Sequence, residues 1–192
     1  MKISGLLKKH NIEAGDTVID IGSCKGKELK DFINAGIKVI SFEPHPDLYS
    51  KLKLEYGDNS LVILHEVAAW NKNGTAKMWL CSNHDEAGSS LISGKNNLSK
   101  LAVDILKVKT VDMGRFCNGS VPIKLMKIDA EGAEYIILDR LLDTDAIKNI
   151  EHIYVEDHER KINDPKWRSH KKSVQKKLKK QGIVVHNWHH RE

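Results

Sequence analysis

The sequence predicts an α/β fold, a mostly parallel sheet with helices on both faces. Three observations carry the prediction. Apolar, β-rich runs alternate with helix-period segments along most of the 192 residues. The first such run leads into a glycine loop that opens a helix. Acidic residues close several of the runs, at the strand ends where ligands bind in open α/β sheets.

Taken in order, "TVIDIG" is the first strand and "GKELKDFINAG" its helix, with Gly36 placed to end it. "KVISFEP" is the second strand, and Pro44 and Pro46 stop it and open a helix through "DLYSKLKLEYG". "SLVILHEVAAW" is a third apolar run; "NKNGTAKMWL" follows, its Asn-Gly pair marking a turn into a returning strand. The polar stretch "CSNHDEAGSSLISGKNN" has no periodicity and reads as an exposed loop of the kind that forms lids. "VDILKVKTVDM" and "IKLMKID" are strands, "GAEYIILDRLL" a helix, "IEHIYVEDHE" a strand, and "GIVVHNWHH" a closing strand after a basic helix.

The chain is long enough for one well-buried core and shows no linker, so residues 1–192 are expected to form a single domain. With 40% hydrophobic and 30% charged residues it has the composition of an ordinary soluble domain. It contains neither a signal-peptide pattern nor a long apolar run, which points to the cytoplasm and away from membranes. Cys24, Cys81 and Cys117 lack metal or disulfide spacing and are expected as free thiols. Much of the net charge of +5 lies in "WRSHKKSVQKKLKKQG". There Val174 and Leu178 share one helical face and Lys172, Lys176 and Lys179 another, the pattern of a solvated surface helix. No aromatic residues interleave with these lysines, so nucleic acid is not the favoured partner.

The first loop is Gly22, Ser23, Cys24, Lys25 and Gly26, directly after Asp20 and Ile21. A tight strand-to-helix turn explains it without a ligand; a cofactor gains from its close backbone approach and free N–H groups. A dinucleotide fits poorly, because Cys24 replaces the glycine that a pyrophosphate lies against and Asp20 adds negative charge. A ligand carrying an ammonium and a sulfonium gains from that carboxylate, which points to S-adenosylmethionine. Glu43, roughly 20 residues further on, is placed to accept hydrogen bonds from ribose hydroxyls. Pro44 and His45 would flank the base, and Ala68 and Ala69 either line its edge or pack in the core.

These pieces, "VIDIGSCKG", "VISFEPHP", "EVAAW", "SSL" and above all "LMKIDAEGAE", resemble the FkbM family of S-adenosylmethionine-dependent methyltransferases. The resemblance runs from the first strand to about Glu159. It implies a Rossmann-like class I methyltransferase fold, mostly parallel, with an antiparallel strand near the end. It implies that Asp20 and Gly22 line the methionine side of the cofactor, Glu43 the ribose, and Asp129 the floor near the reacting methyl. It also implies methylation of oxygen, on a sugar, glycan or natural-product-like acceptor.

Asp129, Glu131 and Glu134 crowd behind the strand "KLMKID", where their repulsion requires compensation. A helix start accounts for Glu134, and a cationic cofactor would compensate Asp129. In "YVEDHE", alternation sends Glu156 and His158 to one side and Asp157 to the other. His158 is the first candidate for the base that takes the acceptor's proton and Glu156 the second, with Asp129 beside them. Asp129, Glu156 and His158 are also donor types that suit magnesium, calcium or manganese, although sequence does not show that they converge. His84 and Asp85 in the polar loop would reach over the opening, with Ser89 and Ser90 adding hydroxyls. Trp167, Trp188 and His189 form another wall or cap the core. A nicotinamide oxidoreductase and an RNA-directed module using the basic helix are the competing readings.

Overall fold

The computed structural model describes residues 2–81, 87–98, 104–119 and 121–188. His84, Asp85 and His189 lie outside the described residues. Helix α1 (Ile3–Lys9) precedes strand β1 (Thr17–Ile21), α2 (Lys27–Asn34), β2 (Lys38–Phe42), α3 (Pro46–Tyr56) and β3 (Val62–His65). Strands β4 (Ala68–Trp70), β5 (Gly74–Trp79) and β6 (Ile105–Asp112) follow, then α4 (Met113–Cys117), β7 (Ile123–Ile128), α5 (Glu134–Asp143) and β8 (Ile150–Val155). Short 3-10 turns at Ala146–Asn149 and Glu159–Lys161 flank β8, and helix α6 (Pro165–Lys180) and β9 (Val185–Asn187) come last.

Six strands form one sheet in the order β3-β2-β1-β7-β8-β9, every pairing parallel. Alternation along the strands sorts their side chains into two cores. Val18, Val39, Leu125 and Tyr154 face α1, α2 and α3, whereas Ile19, Met126, Ile128 and Ile153 face α5 and α6. Burial on both faces is why these strands read as nearly continuous apolar runs. The α/β, Rossmann-like class is thus the observed one.

Two details of the strand order differ from expectation. The run "SLVILHEVAAW" breaks into β3 and β4, which belong to different sheets, and "VDILKVKTVDM" supplies β6 of the second sheet, β4-β6-β5. The antiparallel pairing lies there, between β5 and β6. The closing strand β9 instead runs parallel to β8, because α6 carries the chain back along the sheet before β9 begins. Helix α6 buries Trp167, Lys171, Val174 and Leu178 and leaves Lys172, Lys176 and Lys179 in solvent.

Trp167 and Trp188 cap the two cores. The Trp167 indole N–H donates to Gly132 O at 2.7 Å, and Trp188 packs beneath Tyr154. Among the described residues no helix is long and apolar enough to cross a membrane. Cys24, Cys81 and Cys117 are free thiols.

Candidate active site

Strand order reverses between β1 and β7, and a cleft of about 360 Å³ opens at their carboxyl ends. That volume falls within the range of small-molecule sites. Gly22, Ser23, Cys24, Glu43, Pro44, Ala68 and Asp129 line it, and Glu156 reaches the same space. Asp20, Gly26 and His158 do not form its wall: Gly26 packs against Leu52 and Tyr56 of α3, and the other two lie behind the surface.

Gly22 is required by geometry. Its φ is +78°, and a Cβ there would lie 1.9 Å from the carbonyl oxygen of Asp129. The two strand ends therefore meet backbone to backbone, which joins the first loop to the turn after β7. The Cys24 N–H donates to Glu43 Oε2 at 2.9 Å and the His45 N–H to Glu43 Oε1 at 2.8 Å. Burial pushes the Glu43 carboxyl up to about 7, against the opposing pull of these two amides. Burial also raises the Cys24 thiol, with the nearby Glu43 charge adding to it, to about 11, so Cys24 is an inert lining residue.

Lys127 is the residue that sequence reasoning missed. It sits directly across from Asp20 in the parallel register of β1 and β7, and both side chains are shut off from solvent. Its ammonium lies 3.0 Å from Asp20 Oδ1, donates to Gly22 O at 3.2 Å, and stands 3.8 Å from Asp129 Oδ2. Burial alone would lower the lysine pKa; the charges of Asp20 and Asp129 more than offset this and hold it above the ordinary value. Asp20, expected on the methionine side of a cofactor, thus faces an internal cation and is not among the residues that line the cleft. The signal was available: a lysine inside the apolar strand "KLMKI" cannot be buried without an acid beside it.

A second charged cluster stands behind Asp129. His158 is 1% exposed, and its Nδ1–H donates to Glu134 Oε1 at 2.8 Å. Nε2 lies 3.1 Å from Glu131 Oε2, 3.6 Å from Glu156 Oε1 and 3.8 Å from Asp129 Oδ1, without the alignment of a hydrogen bond to any. Burial would lower the imidazole pKa, but Glu131 and Glu134 carry it up to about 10, while His158 and Lys95 bring Glu131 down to about 2. At neutral pH this imidazole already holds its proton. His158 thus lies behind the cleft wall, and of the two residues expected as the acceptor's base it is Glu156 that reaches the cleft.

Glu134 has the structural role expected of it. The first residue of α5, it receives the N–H groups of Ala130 at 3.2 Å and Gly132 at 2.9 Å, satisfying donors of the incoming turn. Asp157 points away from the cluster, as alternation requires, and accepts from the Tyr135 hydroxyl at 3.0 Å and from Lys171.

The described part of the polar loop is a half-buried strap that borders the cleft through Ala87, Gly88, Ser89 and Leu91 and is anchored by buried residues. Ser90 and Lys95 are 1% and 4% exposed. The Ser90 hydroxyl donates to Glu131 O at 2.6 Å, and the Lys95 ammonium lies 2.7 Å from Glu131 Oε2 and donates to Gly88 O. Asn96 N–H and Asn163 N–H complete a crossing with the segment after β8, donating to Lys161 O and Gly94 O. Polar residues without periodicity suggested exposure; satisfied hydrogen bonds are what let them be buried. Ser90 is committed to the backbone, whereas Ser89 lines the cleft.

The chain matches no curated protein and no solved structure. Residues 20–182 match the Methyltransferase FkbM domain, a span that begins at Asp20, contains the whole cleft and ends just after α6. The chain therefore belongs to the FkbM methyltransferase family.

Proposed function

We propose that this protein is an S-adenosylmethionine-dependent O-methyltransferase whose acceptor is a hydroxyl of a sugar, glycan or natural-product-like small molecule. The observation that carries the reading is one cleft with two chemically different ends. Glu43 stands at one end beside Pro44 and His45, and the carboxylates of Asp129 and Glu156 stand at the other.

The residues present fit such a cofactor. Each Glu43 oxygen takes one backbone N–H and keeps lone-pair capacity, the arrangement a ribose diol needs. The wall formed by Phe42, Leu48 and Met78 suits a purine, and the Asp129 carboxylate suits a nearby positive charge. When bound, the cofactor supplies an electrophilic methyl group on a sulfonium. Gly22, Ser23, Cys24, Glu43, Pro44, Ala68 and Asp129 are the residues that would hold it.

The protein's contribution is mainly positioning, since displacement at carbon requires the acceptor oxygen in line with the departing sulfur. Asp129 and Glu156 orient the acceptor hydroxyl through hydrogen bonds. Glu156, with its side chain 26% exposed at the rim, takes the proton as the new O–C bond forms. The buried imidazolium of His158 holds both carboxylates in place.

The test is transfer of an isotopically labelled methyl group from S-adenosylmethionine to a panel of sugars, glycans, natural-product alcohols, nicotinamide-free controls and RNA. Label on an alcohol oxygen, lost in Glu156→Gln while cofactor binding persists, is the expected result. Failure of the protein to bind S-adenosylmethionine, or label found only on nitrogen or RNA, overturns the reading.

A further inference from the structure

Resting on this reading of the acceptor end, we propose that Asp129, Glu156 and His158 form a site for a divalent cation of the manganese type that grips an acceptor carrying adjacent hydroxyls. The three side chains each offer one donor atom, and these atoms all lie within 4.8 Å of one another. An octahedral ion with bonds of about 2.1 Å needs neighbouring donors about 3.0 Å apart and opposite donors about 4.2 Å apart. The separations from His158 Nε2 to Glu156 Oε1 and Asp129 Oδ1, 3.6 and 3.8 Å, fall inside that range.

The independent observation is the histidine itself. Its Nε2 is almost wholly buried and not aligned to any of the carboxylates around it, Glu131 at 3.1 Å included, so a divalent cation that displaces the Nε2 proton to solvent would take over its charge between Asp129 and Glu156. Its other nitrogen donates to Glu134 Oε1, and Glu134 is in turn fixed by the N–H groups of Ala130 and Gly132. A carboxylate behind a histidine in this way fixes the ring and the tautomer that presents Nε2 to a metal. Asp129 divides its carboxylate, one oxygen toward Lys127 and the other toward His158.

Glu131 is not a ligand in this assignment, because it is held by Lys95 at 2.7 Å with Lys161 at 3.7 Å. Two carboxylates and one imidazole leave coordination positions open, and Asp129 and Glu156 present them to the cleft. Mixed oxygen and nitrogen donors suit manganese better than a thiolate-seeking ion. A cation there would select acceptors with vicinal hydroxyls and lower the pKa of the one it holds, whose proton would pass to the Glu156 oxygen that does not hold the ion.

Titration of the chelator-treated full chain with manganese chloride, followed by calorimetry and electron paramagnetic resonance, tests this directly. One saturable equivalent is expected, with a nitrogen coupling that disappears in His158→Gln. Glu156→Gln and Asp129→Asn should weaken binding by about tenfold or more, whereas Glu131→Gln should stay within about threefold of the parent. Should His158→Gln fail to fold, the two carboxamide variants still decide the matter. No saturable manganese signal in the parent, or unchanged binding in both carboxamide variants, overturns the proposal. Calorimetry with S-adenosylmethionine on the metal-free protein separates the two ideas: cofactor binding without manganese binding sinks only the metal site, and the converse sinks only the methyl-donor reading.

Discussion

Replacing Lys127 by methionine removes one charge of a sealed pair and leaves a chain of similar length in its place. At the 3.0 Å separation of Lys127 Nζ and Asp20 Oδ1, the gross attraction is about 5.5 kcal/mol at an effective dielectric constant of about 20. Desolvation of both groups cancels much of that in the intact protein. The single variant loses the attraction but keeps the desolvation of Asp20, which has no exposed surface. A loss of about 3–5 kcal/mol is expected. For a chain of this size that is a drop in Tm of roughly 6–20 °C. Urea unfolding and thermal melts of Lys127→Met, Asp20→Asn and the double variant provide the assay. The double variant, with no buried charge, should recover most of the loss, giving a strongly favourable coupling energy. A single variant that melts within about 2 °C of the parent, or a double variant no better than the worse single, would refute the argument.

The remaining predictions concern the cleft and its supports. Gly22→Ala should abolish folding of the loop or cofactor binding, since its Cβ would overlap Asp129 O at a positive φ; unchanged binding by calorimetry would show that the two strand ends can separate. Glu43 has a folded pKa of about 7 against an ordinary 4.5, so its contribution to stability is fully present below about pH 4.5 and is lost as pH rises through 7. The urea midpoint should fall over that interval in the parent and less so in Glu43→Gln. S-adenosylmethionine affinity should move the opposite way, rising roughly tenfold from pH 6 to pH 8 as Glu43 ionises into an acceptor; a flat profile contradicts the ribose role. Trp167→Phe leaves Gly132 O without its buried donor and should cost about 1–3 kcal/mol by denaturant unfolding.

Much of the cleft was legible residue by residue. Gly22 and Glu43 stand at strand ends, and strand ends can be read from where an apolar run stops. Lys127 was hidden because its reason for being buried lies 107 positions earlier, in Asp20, and register between β1 and β7 has no local signature. The strap was hidden for a related reason: Ser90 and Lys95 are buried only through partners supplied by the turn at Glu131. His158 shows the limit most clearly. Alternation put it on the same side as Glu156, but whether it would be a base or a proton-holding support depended on Glu131 and Glu134, brought in by another strand.

Local sequence determined the alternation of strands and helices, the glycine that lets two backbones touch and the acids that border the cleft, because periodicity and backbone sterics act within a few residues. Tertiary structure alone decided which acid meets which cation. Charge compensation falls off over a few ångströms in space and takes no account of distance along the chain, so Lys127, Lys95 and His158 acquired their roles only when the strands came together.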